Sequence, residues 1–267
     1  MKSSISSLED KLSILKSTNK LHSIKAEFEA EGTRIEELAI LSRVCEKLSV
    51  PLKLKIGGPL AKRDMYEAFQ LGAADILVPM VESSFSVETC SVLFMNLIPS
   101  FSGLNYNPKL SINIETKLAY KNLSKIIKTI IENNLPIKNF VIGRSDLGSS
   151  LGISDVNSEH LYNISLDIIN QAFDANLETT IGGNLNSESF IFIKQLNNIN
   201  KVGFESRKCT FSSLDNLDQE EFSKLVNLGL IFELEWLRFK QNLYSIRSAE
   251  ENLRIEIIKR RLGISNL

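Results

Sequence analysis

Residues Phe140–Gly152 read FVIGRSDLGSSLG, and the fold turns on how this stretch is understood. Phe140, Val141 and Ile142 make a short apolar strand that breaks at Gly143. An acidic side chain, Asp146, follows three residues later on what reads as a loop. Gly148 and Gly152, with Ser145, Ser149 and Ser150, let a backbone approach a ligand closely. A carboxylate just past the C-terminal end of a buried strand is where parallel α/β folds place their chemistry. The plain alternative is a βα loop with an N-capping aspartate, and these residues by themselves do not separate the two.

Working outward, short apolar runs alternate with amphipathic helical patterns along the chain. Strand-like segments begin near Ile24, Leu52, Asp75, Ser111, Asn139, Leu177 and Lys201. Helical periodicity fills the intervals, and loop material is expected over PSFSGLNYNP, residues 99–108. Such alternation predicts parallel strands joined by helical crossovers. The expected class is therefore α/β, a TIM-type (β/α) barrel. Seven strands are one short of closure, so either a strand hides near the N-terminus or the first helix plugs the gap. A doubly wound open sheet is disfavoured because no GxGxxG follows the first strand. The whole chain, 1–267, reads as one barrel domain, with an N-terminal helix over 1–22 and a helical extension over 216–267.

Composition fits that reading. The chain has 267 residues, 43% hydrophobic and 24% charged, close to the roughly 250 residues of a typical barrel. With 31 basic and 32 acidic residues, no global field favours nucleic acid or an anionic membrane. There is no apolar run long enough to span a bilayer and no signal-peptide pattern, so a cytoplasmic location is expected. Cys45, Cys90 and Cys209 are widely spaced, which argues against a zinc site or a disulfide framework. His22 and His160 fall on expected surface positions, and Lys259, Arg260 and Arg261 read as a solvated helix end.

In a parallel barrel all strand C-terminal ends face one side. The residues that fall there are Glu29 and Glu31, Lys55, Glu82, Glu115, Asp146 and the group Glu205-Ser206-Arg207-Lys208. Carboxylates converging from several strands repel one another unless a cation sits among them. Oxygen ligands without His or Cys point to Mg²⁺ or Mn²⁺ rather than zinc. Glu115 and Asp146, on consecutive strands, are the expected pair. The alternative is that each caps a following helix or pairs with a nearby lysine.

With those residues laid out, the chain resembles the HpcH/HpaI aldolase and citrate lyase beta-subunit family. Three segments carry the likeness: LGAADILVPMVES (Leu71–Ser83), SINIETKLAYKNLSKII (Ser111–Ile127) and FVIGRSDLGSSLG. In the second and third, Glu115 and Asp146 match the family's metal-binding glutamate and aspartate. The resemblance implies a pyruvate-kinase-like barrel and a divalent metal that stabilises the enolate of a 2-oxo acid or acyl substrate. It implies reversible carbon–carbon bond cleavage, in a homo-oligomer (trimer or hexamer) whose C-terminal helices pack on a neighbour. Two positions depart from the pattern. Lys55 stands where family aldolases carry an arginine, and EFEAEGTR after the first strand contains no histidine base.

The resulting expectation is a metal-dependent carbon–carbon lyase or aldolase. Glu115 and Asp146 hold Mg²⁺ or Mn²⁺. Lys55 and Arg144 polarise substrate oxygens, with Gly143, Ser145 and Glu82 also at the substrate. Glu29, Glu31 or Glu82 positions water or shuttles protons, and the sequence does not choose among Glu29, Glu31 and Arg34 as the stand-in for the missing histidine base. Rival readings are a synthase or hydrolase using phosphoenolpyruvate or acyl-CoA on the same barrel, and a non-catalytic barrel subunit. Product analysis separates the first, and metal binding without turnover marks the second.

Overall fold

Eight strands close into a barrel in the computed structural model, which describes residues 2–28, 30–101 and 107–262. The strands are β1 (Leu21–Glu27), β2 (Leu52–Lys55), β3 (Asp75–Val78), β4 (Lys109–Ile114), β5 (Ile137–Gly143), β6 (Glu178–Gly182), β7 (Gly203–Glu205) and β8 (Cys209–Phe211). From β1 to β7 each pairs in parallel with the next, in sequence order. Helices supply the crossovers: α2 (Ile35–Lys47), α3 (Lys62–Gln70), α4 (Ser84–Phe101), α5 (Lys117–Lys121) with α6 (Leu123–Glu132), α7 (Arg144–Leu151) with α8 (Glu159–Asp174), and α9 (Ser189–Asn197). They are flanked by α1 (Lys2–Ser17) and α10 (Gln219–Leu262).

The gap left by seven strands is closed neither by an N-terminal strand nor by the first helix. Strand β8 closes it, as a hairpin partner running antiparallel to β7 and to β1. It has only three residues, too few to show a periodicity. Helix α1 instead packs against α10 and buries Leu8, Leu12 and Leu15. Two local expectations also change. The stretch after Gly143 is helix α7 rather than open loop, held by the fully buried Leu147 and ended by Gly152 in the left-handed conformation (φ 76°). Helix α4 runs through Pro99 to Phe101, and residues 102–106 lie outside the described residues.

The apolar core lies between barrel and helices. Side chains at alternate strand positions, among them Ile24, Ala26, Leu54, Ile76, Ile112, Ile114, Phe140, Ile142 and Ile181, are fully buried there. The other alternation points into the barrel, and apart from Leu77 and Val141 it is mostly polar: Ser23, Lys25, Glu27, Lys53, Ser111, Asn113, Asn139, Thr180, Glu205 and Thr210 are all buried. Barrel interiors are more often filled by branched aliphatic side chains. The three cysteines are buried and free, and burial pushes the Cys45 thiol up to about 12. Among the described residues no helix is long and apolar enough to cross a membrane.

Candidate active site

A ladder of opposite charges climbs the barrel interior. Near the bottom, Lys53 lies 3.4 Å from Asp75 and 3.2 Å from Glu205. Glu205 also accepts a 2.7 Å hydrogen bond from Lys25, whose ammonium lies 3.3 Å from Glu27. Glu27 reaches Lys55 at 4.0 Å, and Lys55 reaches Glu115 at 3.7 Å. Burial alone would raise the Glu205 carboxyl, but Lys25 and Lys53 outweigh it and hold the group at about 2. Burial likewise works against the Lys25 charge, and Glu205 and Glu27 overcome it and raise the ammonium above its ordinary value.

The ladder opens into a cavity of about 950 Å³ at the C-terminal ends of the strands. Glu115, one residue past β4, forms part of its floor and is 1% exposed. Its Oε1 accepts from the Met80 backbone N–H (3.1 Å), and its Oε2 from Asn113 Nδ2 (2.6 Å). Asp146, in the first turn of α7, is exposed to the same cavity. The two carboxylates meet over Gly143. A Cβ built there would fall 3.0 Å from Glu115 Oε2 and 3.9 Å from Asp146 Oδ2. Burial is the main cause that lifts the Glu115 carboxyl above its ordinary value, and the Asp146 charge adds to it, against the pull of Lys55.

Of the residues expected from sequence, Lys55, Glu115, Gly143, Ser145 and Asp146 line this cavity. Three do not. Arg144 is fully buried and turned away; its guanidinium donates to the carbonyls of Gly182 (3.1 Å), Gly183 (2.9 Å) and Val156 (3.3 Å), to Asn157 Oδ1 (2.8 Å) and to Ser189 Oγ (3.2 Å). It clamps the β6–α9 loop to α7 and stacks on Phe192, and burial lowers it to about 10. Glu31 is drawn instead to Lys208, over the ring of Trp236. Glu82 accepts a 2.6 Å hydrogen bond from Thr116 Oγ1, behind the cavity wall. Glu29 lies outside the described residues. Conversely, the structure brings in Lys25, Glu27 and Asn113, which the sequence reading left among apolar strand residues. The signal was there: Lys25 and Glu27 alternate with Ile24 and Ala26, and Lys53 and Lys55 with Leu52 and Leu54.

The sequence profile of the HpcH/HpaI aldolase/citrate lyase family matches residues 52–210, more than half of the chain. The chain belongs to this family. The matched span runs from β2 into β8 and so includes Lys55, Glu115, Asp146 and Glu205, but neither β1 nor α10. No curated protein sequence matches the chain significantly. Among solved structures, a family protein from Burkholderia cenocepacia J2315 aligns with TM-score 0.61 at 12% identity, covering 94% of this chain and 90% of its own. An HpcH/HpaI aldolase from Desulfitobacterium hafniense DCB-2 aligns with TM-score 0.58 at 12% identity (72% and 81%). The Haloferax volcanii malate synthase pyruvate/acetyl-CoA ternary complex aligns with TM-score 0.54 at 10% identity (75% and 59%). At these identities the likeness shows the shared fold, and family membership supports aldolase- or lyase-type chemistry.

The family implies a divalent metal, and the residues present fit one. Gly143 leaves open the space between Glu115 and Asp146 that a side chain would fill. The ladder and Asp146 together set five carboxylates (Asp75, Glu205, Glu27, Glu115, Asp146) against three ammonium groups (Lys53, Lys25, Lys55), and Arg207 and Glu233 add one charge of each sign to the cavity lining, leaving an excess that one divalent cation would neutralise. Among the described residues no group of three or more His, Cys, Asp and Glu side chains is placed to hold a metal by itself. That suits Mg²⁺, which keeps waters and uses one or two carboxylates with substrate oxygens for the remainder.

Proposed function

We propose that this protein is a divalent-metal-dependent carbon–carbon lyase or aldolase acting on a 2-oxo acid or acyl substrate. One observation carries the reading: Glu115 and Asp146 converge over Gly143 in a large cavity at the mouth of the barrel. These two residues would hold Mg²⁺ or Mn²⁺, which when bound supplies Lewis-acid stabilisation of negative charge developing on a substrate oxygen. Asn113 and the Met80 N–H fix the Glu115 carboxylate from two sides. Lys55 puts a positive charge beside that carboxylate, at a distance that leaves its ammonium free to meet a substrate carboxylate or oxo group. Ser145, at the start of α7, presents a hydroxyl to the same space, and the helix N-terminus favours an anionic group there. The exposed apolar residues Leu230, Ile231, Leu234 and Leu237 of α10 fit the homo-oligomer that belongs to the same proposal.

The direct test is product analysis with 2-oxo acids, aldol adducts and acyl-CoA as candidates, with Mg²⁺ or Mn²⁺ and with a chelator. Metal-dependent cleavage or condensation that the chelator abolishes is the expected result. Metal binding without turnover of any candidate would favour a non-catalytic barrel instead. A finer check is Gly143→Ala. The backbone there (φ −82°) accepts alanine, but the added Cβ presses on Glu115 Oε2 and Cβ at 3.0 and 3.1 Å. Mn²⁺ affinity should fall by about 10-fold or more, as for lost support of a metal ligand, with the melting temperature little changed. Unchanged affinity would place the ion elsewhere.

A further inference from the structure

Carbon–carbon cleavage needs a group that takes and returns a proton, and the cavity offers few. Among the described residues no histidine, cysteine or tyrosine lines it, and His22 and His160 are exposed elsewhere. Glu115 and Asp146 are committed to the metal. Glu205 is bound between two ammonium groups, at 2.7 and 3.2 Å, and stays ionised far below neutral pH. Lys25 is locked in the same pairing.

Glu27 differs from all of these. It ends β1 and lines the cavity, and its side chain is 11% exposed. Its contacts, 3.3 Å to Lys25 and 4.0 Å to Lys55, are looser than the 2.7 Å that ties Lys25 to Glu205. Lys55 stands between Glu27 and Glu115, so those two carboxylates are no farther apart than contacts of 4.0 and 3.7 Å laid end to end. A substrate held at Glu115 and Asp146 therefore lies within reach of Glu27. The charged groups facing Glu27 are Lys25 on its own strand, Lys55 on β2, Glu205 on β7 and Lys208 in the β7–β8 turn, with Glu115 beyond Lys55. Glu27 also lies outside the span matched by the family profile.

We propose that Glu27 is the catalytic proton carrier of this enzyme, a role that rests on the lyase reading above. In the cleavage direction its carboxylate takes the proton from the hydroxyl of a 4-hydroxy-2-oxo acid. The C3–C4 bond breaks, an aldehyde leaves, and the bonding pair passes into the enolate of the remaining oxo acid. Glu27, now a carboxylic acid, returns the proton to C3 and is restored. In the reverse sense it removes a C3 proton from pyruvate, and that half-step can be observed alone.

The experiment is exchange of the pyruvate methyl protons with D₂O, followed by NMR on the full chain with Mg²⁺, alongside Mn²⁺ binding by EPR. The parent should show metal-dependent exchange. Glu27→Gln should exchange about 100-fold more slowly or worse, with Mn²⁺ affinity within threefold of the parent, and Glu27→Asp should recover part of the rate. Exchange within threefold of the parent in Glu27→Gln would overturn the proposal, as would loss of Mn²⁺ binding together with exchange, or loss of exchange only in Glu233→Gln, a variant of the carboxylate that α10 contributes to the cavity lining. A parent that binds no Mn²⁺ would overturn the lyase reading itself, a separate and recognisable failure.

Discussion

Glu115→Gln and Asp146→Asn are each expected to lower turnover of a 2-oxo acid substrate by about a thousandfold or more while the barrel stays folded. The magnitude follows from the several kcal/mol of charge stabilisation that a Lewis acid contributes at a developing oxyanion, with about 1.4 kcal/mol for each factor of ten. The same substitutions should be mild for folding. Glutamine at 115 removes a buried charge that the site already disfavours, and its amide oxygen can still accept from the Met80 N–H. Lys55 loses a 3.7 Å partner but keeps Glu27. Asparagine at 146 loses a carboxylate in the first turn of α7, worth about 0.3–1 kcal/mol at an exposed helix start. Activity and stability should therefore separate. Steady-state kinetics, Mn²⁺ titration and urea unfolding of both variants would show it; either variant retaining turnover within tenfold of the parent would refute the metal assignment.

Strands β1 to β7 showed themselves in the sequence because short apolar sets on their outward faces, such as Ile112 and Ile114 or Phe140 and Ile142, are bounded by turns. That Glu115 and Asp146 line one cavity is legible because each stands at or just past the C-terminal end of such a strand, which is a local property. Helix α7 was missed because RSDLGSSL has poor intrinsic propensity. Burial of Leu147 and the close approach of Gly148 to Leu161 and the Ile153 carbonyl make it helical, and both are tertiary effects. Arg144 was misjudged for a similar reason. A cation beside a site looks like a substrate ligand, but its acceptors lie 12 to 45 residues away in the chain, on segments whose position the sequence does not reveal. The charge ladder was hidden differently. Its members pair across as many as 180 residues, and a lysine or glutamate within an apolar strand is ordinarily taken as a solvated edge.

That ladder makes Glu205 the most costly interior charge to remove, and Glu205→Gln is expected to destabilise the fold by about 3 kcal/mol, the lower end for breaking a buried ion pair. The lower end applies because neither cation is abandoned: Lys25 keeps Glu27 at 3.3 Å and Lys53 keeps Asp75 at 3.4 Å. In thermal unfolding this corresponds to roughly 6–12 °C for a domain of this size. The loss comes from the weaker compensation left to the two ammonium groups rather than from a cavity, so Lys53→Met added to Glu205→Gln, which leaves Asp75 its hydrogen bond from Ser111, should restore at least half of it. A purely steric role for Glu205 predicts no such rescue, and urea midpoints of the single and double variants decide between them. The pH dependence follows from the same pairing. The Glu205 carboxyl sits at about 2 in the fold against an ordinary 4.5, so the unfolded chain binds its proton first as acid is added. Its contribution is complete above about 4.5 and drains away as the pH falls through about 2. Below that range the parent and Glu205→Gln should become equally stable; a gap that persists there would mean that the glutamate holds the barrel by shape, not by charge.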